Sequence, residues 1–190
     1  REQENGAAMQ PGNDTESNRD YTPGSDSEQS QEANASENNP RTESEPKPRS
    51  KPQYTVLGII EIEKIKLKYP ILEGVRASDL KVGIGHIPGT AGLGENGNCV
   101  LAGHRNYTFG RFFNRLDELT EGDIINVTTK KAQYKYKVYK KHVVTPDDVS
   151  ILKGKKDESI LTLVTCTPIY IATHRLIVHA SLEEIILLEP

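Results

Sequence analysis

Ten residues constrain this chain more than any others. Ser159-Ile160-Leu161-Thr162-Leu163-Val164-Thr165-Cys166-Thr167-Pro168 is an apolar, β-branched run that stops at a cysteine and is then broken by a proline. A second apolar run, His174-Arg175-Leu176-Ile177-Val178-His179-Ala180, follows within a few residues. Two such runs separated by a short polar or proline-containing stretch read as adjacent strands joined by a loop. Paired in that way, they hold a thiol and a guanidinium side by side at one end of a sheet. The rest of the chain has to supply the frame around them.

The chain has 190 residues and is not uniform. Residues 1–52 contain no Ile, Leu, Val, Phe or Cys, and they carry six basic against eleven acidic side chains. Such a segment buries too little apolar area to offset its ordering entropy, so it is expected to be a disordered acidic linker. Its last part, Pro46-Lys47-Pro48-Arg49-Ser50-Lys51-Pro52, favours extended conformations and suits a semi-stiff tether. Residues 53–190 form the expected folded domain and carry 18 basic and 16 acidic residues. That near balance argues against nucleic acid as a partner. The final apolar patch, Ile185–Leu188, is too short to span a bilayer. The chain does not begin with Met, so any targeting or anchoring segment is expected upstream of residue 1.

Along the folded part, alternation is the dominant signal. Ile60 and Ile62 share one phase, whereas Ile65, Leu67, Tyr69 and Ile71 share the other, which requires a turn or bulge near Glu63-Lys64. Ser78–Lys81 reads as a capped helical turn ending at Gly83, Gly85–Thr90 as a short strand and Thr90–Gly97 as loop. Asn98–Ala102 reads as a buried strand ending at Gly103-His104-Arg105. A short helix is expected next, capped by Thr108, with Phe112, Phe113, Leu116 and Leu119 at helical spacing. Ile124–Thr129 and Tyr134–Val144 suggest a hairpin with one basic, solvated face. Thr145-Pro146-Asp147-Asp148 is expected to open a helical turn with Thr145 as its cap, and Lys153–Glu158 is a charged loop. Seven or eight short strands with two or three small helices point to a mainly β fold, a closed or nearly closed barrel.

The two cysteines are not equivalent. Cys99 lies inside an apolar strand and reads as packing, whereas Cys166 ends a strand beside an arginine, an accessible and electropositive setting that favours the thiolate. Of the five histidines, His142 on the lysine-rich hairpin reads as solvated and His179 as structural. His86 reads as a core or supporting residue, and His174 as part of the loop beside Arg175. His104 shares parity with Val100 and Ala102 and opposes Cys99, so a Cys99–His104 couple is disfavoured. A Cys166–His104 couple needs a fold that joins distant strands, as a barrel does. A thiolate, a histidine and a cation together suit nucleophilic acyl transfer. The alternatives are a barrel that binds a peptide without turnover and a redox barrel with a Cys99–Cys166 disulfide.

These residues resemble a known family. Thr162-Leu163-Val164-Thr165-Cys166 is similar to the TLxTC signature of sortases, cysteine transpeptidases of Gram-positive cell surfaces. The resemblance runs over residues 54–187 and includes Pro88-Gly89-Thr90, Gly103-His104-Arg105 and Arg175. It implies a closed eight-stranded barrel in which Cys166 attacks the Thr–Gly bond of an LPXTG-like sorting signal. The resulting thioacyl enzyme is resolved by a peptidoglycan-precursor amine or a pilin lysine. His104 is implied as acid/base and Arg175 as substrate and oxyanion stabiliser. Thr165, Val149, Ile151, Leu152 and His174 are implied to line the substrate. The partners implied are surface proteins bearing sorting signals, with the enzyme on the extracellular face of the membrane, held by an N-terminal anchor. No cofactor or metal is expected. Tyr107–Leu116 looks most like class D, while Cys166–Pro168 and Thr173–Leu176 also resemble the pilin-polymerising class C.

Overall fold

The computed structural model describes residues 53–105 and 111–189. The expected acidic linker and the Thr108 cap lie outside the described residues. Eight strands close into a barrel: β1 (Val56–Ile62), β2 (Leu67–Glu73), β3 (Ile84–His86), β4 (Gly97–Ala102), β5 (Ile124–Thr128), β6 (Ala132–Val144), β7 (Ser159–Thr167) and β8 (His174–Leu187). Around the barrel they run β1-β2-β3-β4-β7-β8-β6-β5. β2–β3 and β4–β7 are parallel, and the other neighbours are antiparallel. Closure leaves no open sheet edge to template association.

The parity break falls where alternation placed it. Glu63–Ile65 forms a 3₁₀ turn that ends at Lys66 in the left-handed region, φ 53°, and the buried phase changes across it. The short α-helix α1 (Ala77–Leu80) starts after Arg76, whose backbone N–H and Nε donate to Asp79 Oδ2 at 3.0 and 2.9 Å. β3 is shorter than expected, because Thr90 Oγ1 donates to Ile87 O at 2.7 Å and turns the chain early. The 3₁₀ turn Val149–Leu152 is capped by Asp148, whose carboxylate accepts from the Ser150 N–H, and not by Thr145.

The expected helix around Phe112 is absent; among the described residues the segment holds only the 3₁₀ turn Leu116–Glu118. Phe112 adopts φ 48°, bridges Arg105 in antiparallel fashion, and the Phe113 N–H donates to His104 O at 3.0 Å. Those backbone groups are committed to the chain beyond β4 and cannot serve i→i−4 bonds. The helical spacing of the apolar residues reflects burial alone: Phe112, Phe113, Leu116 and Leu119 all enter the core.

Alternation on β4, β7 and β8 divides two faces. Inward, Cys99–Leu161–Ala180 and Leu101–Leu163–Val178 form successive rows of the core. Leu163→Ala is expected to lower stability by about 2–5 kcal/mol in chemical denaturation. Ile59→Ala, at a position 42% exposed, is expected to stay within about 0.5 kcal/mol of the parent.

Candidate functional site

The outer face of the same strands carries the candidate chemistry. The parallel register runs from Gly97 beside Ser159 to Ala102 beside Val164. Carried on, the same offset sets Gly103 beside Thr165, His104 beside Cys166 and Arg105 beside Thr167. Hydrogen bonds maintain this alignment: the Gly103 N–H donates to Val164 O at 3.1 Å, and Thr165 Oγ1 donates to Gly103 O at 2.7 Å. On the other side of β7, Cys166 pairs directly with Arg175. One row, made by the segment just past β4 together with β7 and β8, therefore presents His104, Cys166 and Arg175. Because partners in register share a face, all three side chains lie on the outer surface.

Each member has its own support. Gly103 lets the chain pass close to the core: a Cβ there would lie 2.7 Å from the Phe113 ring and 2.8 Å from Ile84 Cδ1. His104 is exposed, with its ring edge-on to Phe112 at 6.3 Å between centroids. Cys166 is half-buried and unpaired. Arg175 Nη1 donates to the carbonyls of Ala172 and His174 at 3.2 and 3.0 Å, which fixes the guanidinium against the β7–β8 loop. His174 is exposed and its Nδ1 lies 2.9 Å from Thr173 Oγ1.

Thr165 takes a different place from the one the resemblance implied. Its side chain points into the barrel, is 2% exposed and is occupied by Gly103 O, so it fastens the histidine's strand instead of facing a peptide. Val149 is exposed, while Ile151 and Leu152 are half-buried on the turn beside the outer face. Asn98 fixes that turn: its Nδ2 donates to Ile151 O at 2.8 Å and to Lys153 O at 3.3 Å. Gly154 presses closely enough on β4 that a Cβ would lie 2.5 Å from the Asn98 nitrogen.

Behind the turn runs a buried polar chain. Thr162 Oγ1 donates to Asn98 Oδ1 at 2.6 Å, so its oxygen accepts from His179 Nδ1–H at 2.8 Å. The sequence marked Asn98 and Thr162 only as part of strands; their signal was a polar residue on the buried stretch of the outer face. His142 corrects an expectation. Its ring stacks on His179 at 5.2 Å instead of standing in solvent, and its Nδ1 is buried without a partner among the described residues. His86 lies elsewhere, its Nδ1 2.9 Å from Glu73 Oε2 and its Nε2 3.0 Å from Ala91 O. Together with Glu73 it lines a cavity of about 620 Å³ at the barrel rim opposite Cys166.

The cysteines separate as alternation required. Cys99 faces inward beside Leu161, and burial pushes its thiol up to about 12. It stands five residues along β7 from the level of Cys166, about 16 Å at the usual rise, and on the opposite face. A disulfide between them is geometrically excluded.

Burial pulls His179 down to about 4, with His142 and Lys140 acting in the same direction. Its native form therefore stays neutral while the unfolded ring protonates near 6.5, so its contribution is intact above pH 6.5 and is lost as the pH falls towards 4. Thermal unfolding across that window is expected to show a smaller fall for His179→Asn than for the parent protein.

Comparison with known proteins agrees with this fold. The sortase-domain family model matches residues 60–183. Sortase D of Bacillus subtilis is 38% identical over 111 residues, covering 58% of this chain and 54% of that protein. Among solved structures, a sortase D5 transpeptidase of Clostridium perfringens superposes with a TM-score of 0.63 at 38% identity, covering 68% of this chain and 79% of the other. Sortase C1 of Streptococcus agalactiae gives a TM-score of 0.65 at 36% identity, covering 68% of each chain. The chain spans about half the length of the curated relatives it matches. A sortase-domain match over most of the barrel, with His104, Cys166 and Arg175 in one row on its outer face, places this chain in the sortase family.

Proposed function

We infer that the protein is a cysteine transpeptidase that cleaves an LPXTG-like sorting signal between Thr and Gly and joins the surface protein to an amine. The observation that carries this reading is the row formed by His104, two residues past the end of β4, with Cys166 on β7 and Arg175 on β8. Cys166 Sγ, as thiolate, attacks the threonine carbonyl carbon. Arg175 stabilises the charge that collects on the carbonyl oxygen. The carbon–nitrogen bond then breaks as His104 delivers a proton to the departing glycine nitrogen, which leaves a thioester. An incoming amine attacks the thioester and gives its proton to His104, and Cys166 leaves as thiolate.

Val149, Ile151, Leu152 and His174 line the peptide's path beside this row. Their exposed or half-buried apolar and imidazole groups suit the Leu-Pro end of the signal. The natural acceptor in this reading is a peptidoglycan-precursor amine, in the manner of a class D enzyme that anchors proteins to the cell wall. The similarity to a sortase C1 keeps a pilin lysine as the second reading, with the same acyl enzyme and a different amine. The enzyme works on the extracellular face of a Gram-positive membrane, held by an anchor outside residues 53–189.

A quenched LPXTG-type peptide, incubated with a panel of amines and followed by mass spectrometry, tests both steps. The parent protein is expected to yield a thioester on Cys166 and amine-joined products. Cys166→Ala is expected to be inactive, His104→Ala to lose about 10²–10⁴-fold and Arg175→Ala about 10²–10³-fold. An electrophilic probe should label Cys166 and spare Cys99. Cleavage retained by Cys166→Ala would exclude the reading and leave a peptide-binding barrel.

A further inference from the structure

The backbone ladder between β4 and β7 ends at Ala102–Val164, two residues short of the level of His104 and Cys166. At that level two side chains replace it. Thr165 Oγ1 reaches Gly103 O just before the row, and Arg105 Nη1 donates to Thr167 Oγ1 at 2.8 Å just after it. The residue following the histidine is thus tied to the residue following the thiol.

Arg105 is unusual for a cation. Its side chain is only 7% exposed, and it reaches three acceptors on two pieces of chain. Nη1 meets Thr167 on β7, Nε donates to Asn114 O at 3.3 Å and Nη2 meets Asp117 Oδ1 at 2.8 Å. Asp117 is itself 54% exposed, so this pair is a weak source of stability for a buried guanidinium. A planar fork, unlike an ammonium, holds three acceptors in fixed directions. The arrangement suits placement better than it suits stabilisation.

We propose that Arg105 is a positioning residue, which sets the separation of His104 from Cys166 by holding the end of β7 through the Thr167 hydroxyl. It touches neither the substrate nor the reacting atoms. Alternation puts Arg105 and Thr167 on the face opposite His104 and Cys166, so the contact grips the two strands from behind and leaves the outer face open to the peptide. The inference rests on the roles given above to Cys166 and His104. In an acyl transfer in which His104 first gives a proton and later takes one, a shift of about 1 Å in that separation is enough to cost about 10²-fold.

Steady-state cleavage of the sorting-signal peptide by Thr167→Val, Thr167→Ser, Arg105→Lys and Asp117→Asn tests this, with pH profiles and melting temperatures for each variant. Thr167→Val and Arg105→Lys are expected to lower kcat about 10- to 100-fold, with KM within about twofold and a displaced pH profile. Thr167→Ser keeps the hydroxyl and should restore kcat. Asp117→Asn should lower the melting temperature while kcat and the pH profile stay at the parent values. If Arg105→Lys fails to fold, Thr167→Val alone decides. Parent-like kcat in Thr167→Val, no recovery in Thr167→Ser, or an equal loss in Asp117→Asn would each overturn the proposal. Parent-like Thr167→Val alongside an inactive Cys166→Ala would sink the positioning role only, whereas an active Cys166→Ala would sink the catalytic reading on which it rests.

Discussion

The parallel pairing of β4 with β7 is the constraint on which the site depends. Its register decides at once which side chains fill the barrel and which cross its outer surface. A slip of β7 by one residue would turn Cys166 inward, away from His104 and Arg175. Parallel neighbours cannot be joined by a tight turn, so the chain between β4 and β7 makes a long excursion through β5 and β6. That excursion brings the Val149–Leu152 turn back over the strands it left, where Asn98 fastens it. Topology and substrate-side geometry therefore follow from one ladder.

Much of this was legible in the chain itself. Alternation located the strands, placed the parity break at Glu63–Ile65 and separated His104 from Cys99, because a two-residue period survives any tertiary context that keeps one face apolar. Spacing could not reveal the segment after His104. Phe112, Phe113, Leu116 and Leu119 obey a helical period, yet the backbone there is fixed by the Arg105–Phe112 bridge and by His104 O, contacts that only the closed fold creates. The same limit applies to Thr165. The motif marks it as important, but only the register shows that its hydroxyl faces inward, towards Gly103.

His142 and the cap of the Val149–Leu152 turn differ from expectation for separate reasons: a lysine-rich hairpin suggests a solvated histidine, and Thr145 before Pro146 suggests the cap. In the fold, β8 lies alongside β6 for nearly its whole length, so His142 meets His179, and the turn that follows needs a cap nearer its first N–H groups than Thr145. A charged composition describes the rim of such a stretch and not its inner side. The buried chain Asn98–Thr162–His179 is the counterpart: three polar groups on otherwise apolar strands, each satisfied by the next.

The way Arg175 is held has a further consequence. Its guanidinium is bonded to the carbonyl of Ala172, in the loop that joins β7 to β8, and to that of His174 at the start of β8. Cation and loop move as one body. In a chain of this architecture, changing the length of that loop is an electrostatic change as much as a steric one. Grafting the loop from another barrel would relocate the positive charge even if every residue of the outer row were kept.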